Sequence, residues 1–113
     1  MSARTDAART ARREQLRRDL YAGIERGELG LVEAVRMMRK IADKTQAEYA
    51  KLVGVSPRVL IDFERGVGNP TLRSIDKLLG PFGLELTVRR RRPDAEARAR
   101  ARAGAVRSSR DGV

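Results

Sequence analysis

The 113-residue chain has no cysteine, no histidine and no tryptophan, and aromatic residues make up only 4% of it. Lack of cysteine excludes disulfides and thiolate nucleophiles. Lack of histidine as well excludes zinc fingers and imidazole acid–base chemistry. A reducing cytoplasm suits such a chain. Its apolar runs all fall short of the roughly 20 residues needed to cross a bilayer. Arginines stand near the N-terminus without the apolar stretch of a signal peptide. Carboxylates such as Asp62, Glu64 and Asp76 come with no metal-ligand cluster, phosphate loop or nucleophile–base pair, so neither catalysis nor a metal or cofactor is expected.

Hydrophobic residues make up 41% of the sequence, and with so few aromatics the core must be aliphatic and small. The length supports one domain with some tail. The net charge of +10 is unevenly spread, at +3 over residues 1–26, +1 over 27–88 and +6 over 89–113. The middle is close to neutral and the ends carry the excess. Basic ends of this kind seek phosphates, and the last stretch has no apolar face with which to bind a membrane.

Periodicity predicts five helices. The first, over 8–25, carries Leu16, Leu20 and Ile24 four residues apart, a stripe too narrow to build a core alone. The second, over 31–42, turns Leu31, Ala34, Val35, Met38 and Ala42 to one side, with Gly30 as a weak cap. Thr45 caps the third, and Glu48 stands three residues on, the capping-box spacing. Gly54 ends it. Ser56 caps the fourth, Pro57 occupies its first turn, and Gly66 closes it. The fifth, over 71–79, points Leu72, Ile75, Leu78 and Leu79 inward, and the break GPFG follows. Residues 84–88, LELTV, alternate with period two and predict a strand. Beyond Arg92 the Ala/Arg tract predicts disorder.

The stretch TQAEYAKLVGVSPRVLIDFERG, residues 45–66, carries the functional signal. On a wheel of about 100° per residue, Leu60, Phe63 and Glu64 share one side of the fourth helix, while Arg58, Ile61, Asp62 and Arg65 share the other. The first side serves the core, where Glu64 needs a partner. The second is odd for a solvated face and sensible for a major groove. Arginine can fork onto guanine, and an aliphatic side chain can touch a thymine methyl. Asp62 serves better to orient Arg58 or to reject wrong bases than to bind cytosine. A helix, a tight glycine turn and a second helix form a corner that pushes the second helix outward. Ser56 and the free N–H groups at the start of that helix make a phosphate seat.

This stretch resembles the helix-turn-helix signature of the Xre/Cro (lambda-repressor-like) family, with the likeness running over about 31–79. The resemblance implies a mainly α fold: a five-helix lambda-repressor-like helix-turn-helix domain with an N-terminal helical extension. It further implies that Gln46 and Ser56 clamp DNA phosphates, with Thr45, Pro57 and Arg65 beside the backbone. Residues 56–65 would form the recognition helix, with Arg58, Ile61 and Asp62 nearest the bases, and Arg39 would pair with Glu64. Pro57 and Ile61 depart from the polar residues common at those positions.

A lone strand leaves its backbone unsatisfied. Residues 84–88 are therefore expected to pair antiparallel with their copy in a homodimer, with Leu84, Leu86 and Val88 facing the helices. The chain divides into a helical extension (1–29), a DNA-binding domain ending in the dimerisation strand (30–88) and a basic tail (89–113) that starts with Arg89, Arg90, Arg91 and Arg92. The expected function is sequence-specific binding of a palindromic double-stranded DNA operator, most simply as a repressor. The helix-turn-helix followed by GNPTLRSIDKLLGPFGLELTV, residues 68–88, also resembles HipB-like antitoxins, which implies an alternative: neutralising a protein toxin and autoregulating the operon. The first helix would then be the partner-binding element or simple packing.

Overall fold

A computed structural model describes residues 3–91, which form five α-helices and a short 3-10 turn: α1 Ala3–Glu25, α2 Leu31–Ile41, α3 Gln46–Val53, α4 Pro57–Glu64, α5 Leu72–Leu79 and the turn Gly80–Phe82. The expected helices all form. α1 starts earlier than its apolar stripe, because its first residues are alanine, arginine and threonine, which favour or tolerate helix without needing burial. Thr71 is a cap rather than a helical residue: its hydroxyl accepts from the Ser74 N–H. At the end of α2 the polarity of the chain reversal is set by Asp43, the one non-glycine described residue at positive φ (56°).

One aliphatic core joins all five helices. Leu20 of α1, Val35, Met38 and Ile41 of α2, Tyr49 of α3, Leu60 of α4 and Leu78 of α5 are wholly buried. Each such aliphatic side chain contributes about 2 kcal/mol by leaving water. Tyr49 is the largest of them, and its hydroxyl donates to the Leu78 carbonyl at 2.8 Å, which ties α3 to α5. α1 lies antiparallel on α2. At the closed end a Cβ on Gly23 would stand 2.7 Å from the Leu29 side chain. Farther along, the Arg13 Nε donates to the Ile41 carbonyl at 2.8 Å. α1 also grips the 3-10 turn, with the Tyr21 hydroxyl 2.8 Å from the Phe82 carbonyl and the Arg17 guanidinium 5.7 Å from the Phe82 ring centre. The second half of α1 therefore shares the domain's core, and the expected boundary at 29/30 falls in the short connection between two packed helices.

Two burial expectations need correction, and the expected strand is not seen in the single chain. Leu72 has the angular position for burial but is 75% exposed, because it opens α5 one turn ahead of the core. Leu31, at the corresponding place in α2, is likewise exposed. Residues 84–88 form no strand, and no strand occurs among the described residues. Gly83 turns the chain at φ 68°, and Leu84 N–H bonds back to the Leu79 carbonyl. Leu84 packs against the core, whereas Leu86 is 38% and Val88 96% exposed, so the three do not share a face turned to the helices. The described residues offer no second strand to meet this segment. Arg92 and the Ala/Arg tract lie outside the described residues.

Candidate nucleic-acid interface

The corner between α3 and α4 is built as its residues dictate. The Thr45 hydroxyl accepts from the Glu48 N–H at 3.1 Å, and the Glu48 carboxylate accepts from the Thr45 N–H at 2.9 Å. Hydrogen bonds from the Thr45 N–H, which contributes most, and from the Thr45 side chain hold the Glu48 carboxyl below its usual range. Gly54 ends α3 in the left-handed region at φ 83°, where a side chain would be strained. The N–H groups of Gly54 and Val55 both reach the Ala50 carbonyl, and Ala50 is fully buried, which brings the helices close. Ser56 then caps α4 by accepting from the Val59 N–H at 3.2 Å, and Pro57 takes the first position. The Ser56 hydroxyl, which accepts here, can also donate.

α4 is two-faced as the wheel predicts. Leu60, Phe63 and Glu64 are buried, Glu64 to 3%. On the other side the Arg58 side chain is 74% exposed and Asp62 31%, and their charged atoms stand 3.7 Å apart. That distance marks an ion pair without a hydrogen bond, which at an exposed site contributes less than about 1 kcal/mol. Ile61 is half-buried yet does not belong to the core cluster, so it serves the outer face. Asp62 is more recessed than a bare wheel suggests. The loop after α4 folds back over it, with the Val67 N–H on the Asp62 carbonyl at 2.9 Å. A Cβ on Gly68 would come within 3.3 Å of the Asp62 Cβ. Arg65 ends the helix, exposed.

The buried carboxylate of Glu64 gathers three side chains from α2 and α3. Arg39 forks onto it, Nε to Oε2 at 2.8 Å and Nη2 to Oε1 at 2.9 Å. The Gln46 amide donates to Oε1 at 3.1 Å. Arg36 Nε stands 4.0 Å from Oε1, while its Nη2 donates to the Glu64 backbone carbonyl. Burial by itself would raise the Glu64 pKa. The hydrogen bonds from Arg39 and Gln46 and the charges of Arg39 and Arg36 outweigh it, and the carboxyl ends below its usual range. The same hydrogen bond raises Arg39. No buried polar side-chain atom among the described residues lacks a partner, so this buried charge is compensated rather than strained.

The expected Arg39–Glu64 pair thus forms. Gln46, expected as a phosphate clamp, donates one amide N–H inward to Glu64. Arg36 was not expected. Its signal was present in the spacing, since Arg36 and Arg39 lie three apart on one face of α2. The site residues fall into two groups: Arg58, Ile61 and Asp62 along the outer face of α4, and Thr45, Gln46, Ser56 and Pro57 at the starts of α3 and α4. Arg89, Arg90 and Arg91 are exposed beyond the core, away from either helix start in sequence.

Among the described residues no helix is long and apolar enough to cross a membrane, and no three His, Cys, Asp or Glu gather as a metal site. Residues 35–88 match the family model described as Helix-turn-helix, a span that runs from within α2 through the end of the 84–88 segment. No curated protein matches the chain, and no solved structure does.

Proposed function

We propose, on the premise that residues 35–88 belong to the helix-turn-helix family of DNA-binding transcription regulators, that the protein is a sequence-specific repressor that reads its operator with α4. The observation that carries this is the division of α4 itself. Its inner end is fixed by Glu64 to α2 and α3, and its outer face offers Arg58 with only a loose partner. A helix held in this way can present a long cation to a groove without losing its own placement. Arg58 forks onto a guanine edge, Ile61 meets a thymine methyl, and Asp62 holds Arg58 in line and disfavours acceptor-rich edges. Thr45, Gln46, Ser56 and the N–H groups at the start of α4 seat phosphates, with Pro57 pressed against the backbone and Arg65 at its edge.

The operator is palindromic because the protein acts as a homodimer through residues 84–88. Two observations support that reading. The segment leaves Leu86 and Val88 exposed, and it borders an apolar groove formed with Ile24, Leu29, Leu31 and Leu79. Antiparallel pairing with a copy satisfies the segment's backbone and covers both side chains. Two recognition helices would then lie about 34 Å apart, one turn of DNA. A chain ending at Pro81 should sediment as a monomer; an unchanged dimer would show that the interface lies elsewhere. The arginines from Arg89 onward add sequence-independent grip. No observation favours a toxin partner over this reading.

Selection of bound sites from a random duplex pool at near-physiological salt tests the proposal. The expected result is an inverted repeat with half-sites one turn apart. Recovery of unenriched sequence would overturn it.

A further inference from the structure

α1 is longer than its packing requires. Gly23 meets Leu29 at one end of the α1–α2 pair and Arg13 meets Ile41, the last residue of α2, at the other. Residues 3–12 therefore run past the end of α2, and every one of them is exposed. At 1.5 Å per residue this overhang is about 15 Å long. Its side chains are alanines, threonines, one Asp6 and the three arginines Arg4, Arg9 and Arg12. Nothing larger than alanine is apolar there, so the overhang has no means of docking in a hydrophobic groove. It can recognise opposite charge. All seven cations among residues 1–26 are arginine and none is lysine, and the guanidinium fork matches phosphate oxygens two at a time.

The place from which the overhang leaves the body is informative. Beyond Ile41 the chain turns at once through Asp43 and Lys44 to Thr45 and Gln46, which open α3. Arg39, Lys40 and Lys44 line the shallow cleft at this corner together with Asp43, Thr45 and Glu48. The overhang thus continues a row of phosphate-seeking groups outward from the start of α3. We infer that the first half of α1 is a second DNA-contacting element, which grips the sugar-phosphate backbone outside the half-site read by α4. This inference rests on the DNA-binding reading above and adds a footprint that the helix-turn-helix by itself does not have.

Two full-length variants test it. In R4Q/R9Q/R12Q the helix-compatible glutamines remove charge from exposed positions, so folding should be unaffected. Affinity for selected and random duplexes should fall alike, about tenfold at near-physiological salt, and the slope of log affinity against log salt should flatten by about 2 to 3. The bases selected should not change. Because the chain has no cysteine, Ala8→Cys provides a single point for a tethered iron chelate, which should cut the backbone just outside each half-site. An unchanged salt slope together with no cutting on an occupied duplex would overturn the inference, and is the result expected if the overhang serves an acidic protein instead. Both readouts need only an occupied duplex of any sequence. A failure of sequence preference in the unmodified protein would therefore count against α4 as reader and leave this test intact.

Discussion

The two ends of α4 use charge in opposite ways. At the inner end Glu64 is 3% exposed and has two arginines and a glutamine around it, with bonds of 2.8 to 3.1 Å to Arg39 and Gln46. On the outer face Arg58 is 74% exposed and stands 3.7 Å from Asp62. The first arrangement is costly to disturb, since a buried charge without its partners loses both hydration and compensation. The second is cheap to rearrange, since an exposed pair at that distance contributes little. Position is therefore fixed at one end of the helix so that contact can adapt at the other.

The comparison breaks most visibly at Glu64. Glu64→Ala leaves Arg39 without its carboxylate and should cost about 3 kcal/mol of stability, read as a lower denaturant midpoint. A loss under about 0.5 kcal/mol, the range of ordinary surface substitutions, would mean the cluster does not hold α4. Specificity should be the next largest effect. Arg58→Ala should cost about 1 to 3 kcal/mol of discrimination at one base pair of each half-site, with the denaturant midpoint unchanged.

Acid sharpens the contrast. The Glu64 carboxyl is held below its ordinary value of 4.5 in the folded protein. Its contribution is thus fully present above that value and lost as the pH falls through the lower, folded one. Stability of the unmodified protein should drop in that acid window more steeply than that of Glu64→Gln, and the gap between them should narrow. Parallel curves would contradict the charge-based account. The smallest effect concerns the turn that leads to the corner. Asp43 sits at φ 56°, a place that suits glycine, and Asp43→Gly should stabilise by about 0.5 to 1 kcal/mol in thermal unfolding.

What the sequence made legible follows from the range of the interactions concerned. Caps and turns are local, so Thr45 with Glu48, Gly54 and Ser56 with Pro57 could be read from spacing alone. The two-faced character of α4 is also local, as a wheel needs only eight residues. The Arg39–Glu64 pairing spans 25 residues and came from family resemblance, while the wheel supplied only the need for a partner. Arg36 reaching the Glu64 carbonyl and Gln46 turning inward depend on how three helices meet, which no local pattern encodes. Leu72 shows the limit from the other side: its angular position was right, but burial depends on what lies beyond the helix end. Period two in residues 84–88 gave a strand-like pattern, and a strand needs a partner that the described residues of one chain do not supply.

The most direct test sets the bound sites selected by the unmodified protein beside those selected by Arg58→Ala. Relaxed preference at one symmetric pair of positions, with the rest of the motif and the fold intact, is the predicted outcome. Identical motifs from the two proteins would contradict the claim that the exposed side of α4 reads the bases.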